Sequence, residues 1–137
     1  MTYACAELVA RCFAARTSAH LAHLTTTSYA QHVALGDFYD AIASGADEFI
    51  ECHMGIFGKL DPADFPTVRL GAGDQITQLT DLRTWIAAHR EECCEAGEQG
   101  DAEEAESADV DCTELANLID NILAVIDRAI YKLKFLK

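Results

Sequence analysis

The fold is decided by residues 23–51, which read HLTTTSYAQHVALGDFYDAIASGADEFIE. Three consecutive threonines interrupt a preceding alanine- and leucine-rich stretch, residues 3–24, which contains no glycine or proline and is predicted to be a helix. Ser28 is a suitable N-cap for a second helix, predicted over residues 29–57. Apolar residues keep helical spacing in that second helix: Leu35, Phe38, Ile42, Phe49 and Ile56. A short turn between the two helices predicts an antiparallel hairpin.

The rest of the chain predicts a second hairpin. Residues 59–74 hold both prolines and form a long connection, and a third helix starts near Thr77. A fourth helix is predicted over about residues 113–136. Its apolar stripe consists of Leu115, Leu118, Ile119, Ile122, Val125, Ile126 and Ala129. The predicted fold is therefore an all-α four-helix bundle in a single domain, residues 1–137, with two hairpins joined by a long crossover, which is a feature of ferritin-like bundles.

Charge and composition limit the partners. The chain has 137 residues and a net charge of −13, and residues 91–111 hold ten acidic residues and no basic one. We expect this acidic connection between the third and fourth helices to be mobile. Because no basic surface is evident, direct DNA binding is not expected. No apolar run of about 18 residues and no signal peptide is visible, and the six cysteines suggest reduced thiols. The expected location is the cytoplasm of a bacterial host or a phage-infected cell.

Histidines and acids in the first hairpin suggest a metal site. No histidine follows a glutamate at the Glu-x-x-His spacing of di-iron bundles. Asp47 and Glu51, however, lie one helical turn apart and face the same way. A turn centred on Thr27 and Ser28 would place His23 opposite His32, with His20 one turn deeper. Two imidazoles and two carboxylates suit Fe(II), Zn or Mn.

Distance demands a second copy of the chain. His32 is about 22 Å from Asp47 along the helix, so one ion cannot contact both within one molecule. Two antiparallel copies of the second helix, crossing near residues 39–41, would bring His32 of one copy to Asp47 and Glu51 of the other. Such a dimer would hold two equivalent sites. Small residues near the crossing would allow close approach: Gly36, Ala41, Ala43, Ser44 and Gly45.

Residues 23–40 and 47–51 resemble Dps miniferritins and, more closely, small phage-encoded ferritin-like proteins, and residues 117–133 resemble the last helix of that phage group. In Dps proteins, a ferroxidase centre forms across a dimer from two histidines of one chain and an Asp and a Glu of the other. His32, Asp47 and Glu51 match the family's spacing. The usual interval between the histidines selects His20, whereas the shorter turn of the phage proteins selects His23, which we prefer.

The resemblance implies oxidation of Fe(II) to Fe(III) by peroxide or oxygen, iron storage or oxidative protection, and assembly into a homo-oligomer, in the family a cage of twelve subunits. Iron is the implied metal, with zinc as a surrogate. The sequence departs from the family in three features: it has no basic N-terminal tail, it carries the acidic insert, and residues 59–74 show no clear short helix of the kind that buttresses the Dps dimer.

Two other interpretations remain open. The chain can be a non-catalytic helical structural or interaction protein, such as a phage particle component. A zinc-binding module can use His89, Cys93, Cys94 and Cys112, of which the histidine and first cysteine are one turn apart. The remaining candidates are expected to be structural: Cys5 and Cys12 in the core, His53 on the surface, and Trp85 and Tyr39 in the core.

Overall fold

A computed structural model describes residues 3–95 and 112–137. These residues form four α-helices and no strand: α1 (Ala4–Thr25), α2 (Tyr29–Phe57), α3 (Gln75–Cys93) and α4 (Thr113–Phe135). The prediction of an all-α four-helix bundle is confirmed at this level. None of the helices in this part of the chain combines the length and the apolar character that crossing a membrane requires.

The helices pack in a square in which α1 and α4 each contact both α2 and α3. Neighbouring helices are antiparallel. Arg83 of α3, for example, bonds Asp127 of α4, and Arg90 bonds Asp120. Residue numbers therefore decrease along α4 in the direction in which they increase along α3. Lys132 of α4 likewise reaches Asp37 near the start of α2, at 3.2 Å. Since α2 and α3 run in the same direction, the crossover between them spans the length of the bundle. It contains one turn of 3₁₀ helix, Pro62–Asp64.

Local hydrogen bonds set the helix boundaries. The Ser28 side chain accepts a hydrogen bond from the Gln31 N–H at 3.2 Å, which confirms the predicted N-cap of α2. The start of α3 was predicted near Thr77, but the helix begins two residues earlier because the Asp74 carboxylate accepts from the Thr77 N–H at 2.8 Å. At its other end α3 continues to Cys93, into the predicted acidic connection. That connection lies outside the described residues from residue 96 onward.

The predicted apolar stripes form the core. Leu35, Phe38, Ile42 and Phe49 of α2 are buried, and Ile56 is partly buried. In α4 the buried residues are Leu115, Ile119, Ile122, Ile126 and Ala129, while Leu118 and Val125 lie at the edges of the core. Cys5 and Cys12 are buried, as predicted, and burial raises the pKa of the Cys12 thiol to about 12.

A polar chain ties the crossover to the bundle. Gln75 donates to the Ser18 hydroxyl at 3.1 Å, and that hydroxyl donates to Gln78 Oε1 at 2.7 Å. The Gln78 side chain in turn donates to the Gly73 carbonyl at 2.8 Å. A Cβ at Gly71 would lie 2.6 Å from Gln78 Oε1, so a larger residue at this position would displace the Gln78 side chain from this arrangement. The end of the crossover is thereby held against α1 and α3.

Candidate metal site at the first hairpin

His23 and His32 form an interlocked pair across the first hairpin. Their rings stack with centroids 3.7 Å apart and planes inclined by 17°. His23 Nδ1 donates to the His32 carbonyl at 2.6 Å, and His32 Nδ1 donates to the His23 carbonyl at 2.8 Å. Because a carbonyl oxygen only accepts, each Nδ1 carries a hydrogen. In the neutral imidazoles, both Nε2 atoms therefore keep the lone pair that a metal ion requires.

Helix ends explain why the pair forms. Carbonyl groups in the last turn of a helix lack an N–H partner within that helix. At the end of α1 the Thr26 N–H donates to the Ala22 carbonyl, and His32 Nδ1 donates to the His23 carbonyl. The short turn from Thr26 to Ser28 brings the two histidines to the same level. The contact expected from the position of the turn is therefore present.

His20 does not join this pair. Its ring stacks on Tyr39, with centroids 4.2 Å apart, and meets the His23 ring edge-on at 6.0 Å. Tyr39 also meets His23 edge-on at 5.3 Å. The sequence left His20 and His23 as alternatives. In the structure His23 stacks on His32, whereas His20 stacks on Tyr39. Tyr39 is partly buried rather than fully in the core.

Asp47 and Glu51 are exposed on α2, far from the histidines. At 1.5 Å per residue they lie about 22 Å and about 28 Å from His32 along the helix. Within the described ranges, no three side chains of His, Cys, Asp or Glu are arranged so that they could hold a metal ion. One molecule thus brings together two of the four expected ligands, and the two carboxylates remain apart from them.

Two of the small residues expected at a contact between copies serve packing within the molecule instead. A Cβ at Gly36 would lie 3.1 Å from His23 Cε1, and one at Gly45 would lie 3.1 Å from Ile122 Cγ1. Ala41 lies in a groove between α2 and α4. Ser44 remains exposed. The outward face of α2 instead carries all five acids of the helix: Asp37, Asp40, Asp47, Glu48 and Glu51.

Residues 23–133 match the model of a family of unknown function, DUF5856. The chain belongs to this family. The DUF5856 match covers α2, the crossover, α3 and most of α4. Neither a curated protein nor a solved structure matches the chain.

The alternative zinc site of this DUF5856 chain finds no support in the described residues. His89 Nδ1 donates to the Trp85 carbonyl at 2.8 Å, and its ring stacks on the partly buried indole with centroids 4.2 Å apart. Cys93 is buried and donates to the Ala4 carbonyl at 3.5 Å, and burial raises the pKa of its thiol far above the ordinary range. Cys112 Sγ donates to the Cys94 carbonyl at 2.9 Å. These contacts are those of structural residues.

His53 was predicted to lie on the surface, and this prediction is wrong. The side chain is 2 % exposed and packs between Phe49 and Phe57, with ring centroids at 6.0 and 4.8 Å. Its Nε2 donates to the Glu95 carbonyl at 3.0 Å, and Nδ1 has no partner among the described residues. Burial lowers the pKa of this imidazole. The signal in the sequence was the spacing of Phe49, His53 and Phe57, each one helical turn apart on an apolar face.

Proposed function

We propose that this chain is a Dps-like, ferritin-like protein that binds iron between two copies of itself and oxidises Fe(II) to Fe(III). The observation that carries the proposal is the His23–His32 pair, in which both Nδ1 atoms donate to carbonyl groups and both Nε2 atoms keep a lone pair that can bind a metal ion. The crossover supports the fold assignment, because a connection along the length of the bundle is a feature of ferritin-like topology.

The remaining ligands in this proposal come from a second copy. An antiparallel crossing of two α2 helices near residues 39–41 sets the histidine pair of one copy against Asp47 and Glu51 of the other, in two equivalent sites. His32, Asp47 and Glu51 are all exposed and can meet a partner. Carboxylates offset the charge of the ion and favour Fe(III), while neutral imidazoles coordinate Fe(II) through a nitrogen lone pair. The electrons pass to peroxide or oxygen.

Preorganisation is the contribution of the hairpin. The carbonyl of each histidine orients the ring of the other. The tautomer and the rotamer of both imidazoles are therefore already fixed before iron binds. Tyr39 and His20 form the wall behind His23. In this proposal the Tyr39 ring, which borders His23, takes up oxidising equivalents generated at the site.

A complementation experiment tests the site. We expect the variants H23A/H32A and D47N/E51Q each to lose the rapid rise in ferric-oxo absorbance on addition of Fe(II). In the heterodimer, one site combines intact histidines with intact carboxylates, and the other site lacks both. Mixing the two inactive variants in equal amounts, after dissociation and random reassociation, should restore roughly a quarter of the wild-type sites.

His89 offers the matched control, because its ring stacks on Trp85, bonds the Trp85 carbonyl and lies outside the proposed site. H89A should oxidise Fe(II) as the wild-type chain does. If mixing restores no activity, although both variants fold and reassociate, the ligands do not come from two copies. If wild type and both variants oxidise iron at the same slow rate, the iron proposal fails.

A non-catalytic interaction protein is the second candidate, and one feature of the surface favours it. Large apolar side chains are exposed around the same hairpin, with Leu24 65 % and Tyr29 82 % exposed. In this case the histidine pair serves only to close the helix ends. Unchanged iron chemistry in H23A/H32A, together with lost binding of a partner in Y29A, would favour this function.

A further inference from the structure

An open cavity of about 770 Å³ lies between α1 and the crossover, away from the histidine pair. Ten of its twelve lining residues are apolar, and the two polar ones are Thr17 and Lys59. This volume falls within the range of about 300–1,000 Å³ that is typical of small-molecule sites. The cavity is therefore large enough for a ligand with a substantial hydrocarbon part.

The wall on α1 is elongated. Ala10, Phe13, Ala14 and Thr17 follow one another at the spacing of a single helix face, over a length of about 10 Å. The two alanines leave room above the helix. Phe13 is 41 % exposed and Leu70 of the crossover is 47 % exposed. Both side chains therefore present apolar surface to solvent at the cavity. A narrow, extended hydrocarbon chain fits this shape better than a compact ring system.

Among the described residues that line the cavity, Lys59 is the charged one. Within residues 3–95 and 112–137, it makes neither a hydrogen bond nor an ion pair, although the whole chain carries a net charge of −13. The acids that follow it belong to the capping box of the 3₁₀ turn, in which the Asp61 N–H donates to the Asp64 carboxylate at 2.7 Å. An ammonium group beside an apolar cavity selects a ligand with an anionic head group.

We propose that this cavity binds an amphipathic carboxylate, a hydrocarbon chain of medium length with one carboxylate head group. The hydrocarbon chain of the ligand lies along the face of α1 formed by Ala10, Ala14 and Thr17, beneath the crossover. Lys59 donates to the carboxylate. The site is independent of the proposed iron chemistry, because its lining residues include none of the candidate iron ligands.

Calorimetric titration with decanoate and with the neutral decanol, at concentrations below micelle formation, tests the site. We expect saturable binding of one decanoate per chain. K59Q should weaken decanoate binding about fivefold to tenfold, because a charge-assisted hydrogen bond is lost, and should leave decanol binding unchanged. K134Q removes the same charge from the exposed face of α4 and should change neither affinity.

Filling the cavity supplies the second arm. A14L should abolish binding of both ligands, with circular dichroism used to verify its fold, and L70E at an exposed position of the crossover should do the same if A14L does not fold. Absence of saturable decanoate binding, or equal affinity in K59Q and wild type, would overturn the proposal. Sedimentation offers a further way to overturn the proposal. If the ligand-free protein is a dimer that A14L converts to a monomer, and decanoate does not dissociate this dimer, a second copy of the protein covers the cavity.

Discussion

Gly36 lies in the interior of α2, where glycine costs about 0.5–1 kcal/mol relative to alanine. An added Cβ would lie 3.1 Å from Cε1 and 3.3 Å from Nδ1 of His23. That imidazole cannot easily move aside, because it is stacked on His32, bordered by Tyr39 and bonded to the His32 carbonyl. The absence of a side chain at position 36 thus makes room for the histidine pair.

We expect G36A to lower the free energy of unfolding, because the clash with His23 outweighs the gain in helix propensity. Gly55, exposed on the same helix with no atom within 4 Å of a Cβ, provides the matched control. G55A should raise the free energy of unfolding by about 0.5–1 kcal/mol. Urea denaturation measures both. If G36A stabilises the protein as much as G55A does, the position of His23 does not depend on Gly36.

Helices α2 and α3 are linked at one end of the bundle by His53. The imidazole is held between two phenylalanines of α2, and its Nε2 bonds the Glu95 carbonyl just beyond α3. The same end of α3 is tied to α4 by the pair between Arg90 and Asp120, at 2.9 Å. A buried neutral imidazole is a contact that protonation disrupts, because a charge would be placed among apolar groups.

The link predicts a pH dependence of stability. Burial lowers the pKa of His53 in the folded state below its ordinary value of 6.5. Above about pH 6.5 both states are neutral and the contribution of His53 is complete. As the pH falls further, the unfolded state binds the proton first, so stability is lost until the lower pKa of the folded state is reached.

Urea denaturation between about pH 7 and pH 5 checks this prediction. H53F, which has no group that titrates at this position, should reduce the loss of unfolding free energy across that interval. H89Q replaces a half-buried histidine elsewhere and should leave the loss as it is in the wild type. An equal loss in H53F and wild type would show that His53 does not cause it.

The proposed dimer would bring like charges close together. The outward face of α2 carries five carboxylates, of which only Asp37 forms an ion pair among the described residues, with Lys132 of α4. The helix itself has no lysine or arginine. An antiparallel crossing near Asp40 sets this residue close to its counterpart in the other copy. Like charges at such distances repel, and the repulsion depends on salt and on bound cations. The proposed dimer therefore requires cations, which connects iron binding to assembly.

Sedimentation velocity should show a monomer in chelator at low salt and a dimer after addition of Zn(II), a redox-inert stand-in for iron. D40N should increase the dimer fraction in chelator, since it removes one charge per chain at the crossing. D127N, which alters an exposed acid of α4, serves as the control and should not. A dimer of equal stability with and without cations would contradict this picture.

Local patterns in the sequence were sufficient for the helices and for the contact between the two histidines. Ser28 caps α2 through a residue three positions away, and the spacing of Leu35, Phe38 and Ile42 follows from the helical repeat. His23 and His32 are nine residues apart across one short turn, so the length of that turn is enough to bring them together. These contacts involve neighbours in the chain, where backbone geometry leaves few alternatives.

Contacts between distant parts of the chain could not be obtained in this way. Periodicity assigns a residue to a face of its helix but not to the helix that packs against that face. Gly45 was therefore expected at a contact between copies but packs on Ile122, and His53 was expected at the surface but is buried and bonds the Glu95 carbonyl beyond the end of α3. The cavity beside Lys59 likewise exists only because the crossover returns along α1, and its path depends on packing across the whole bundle.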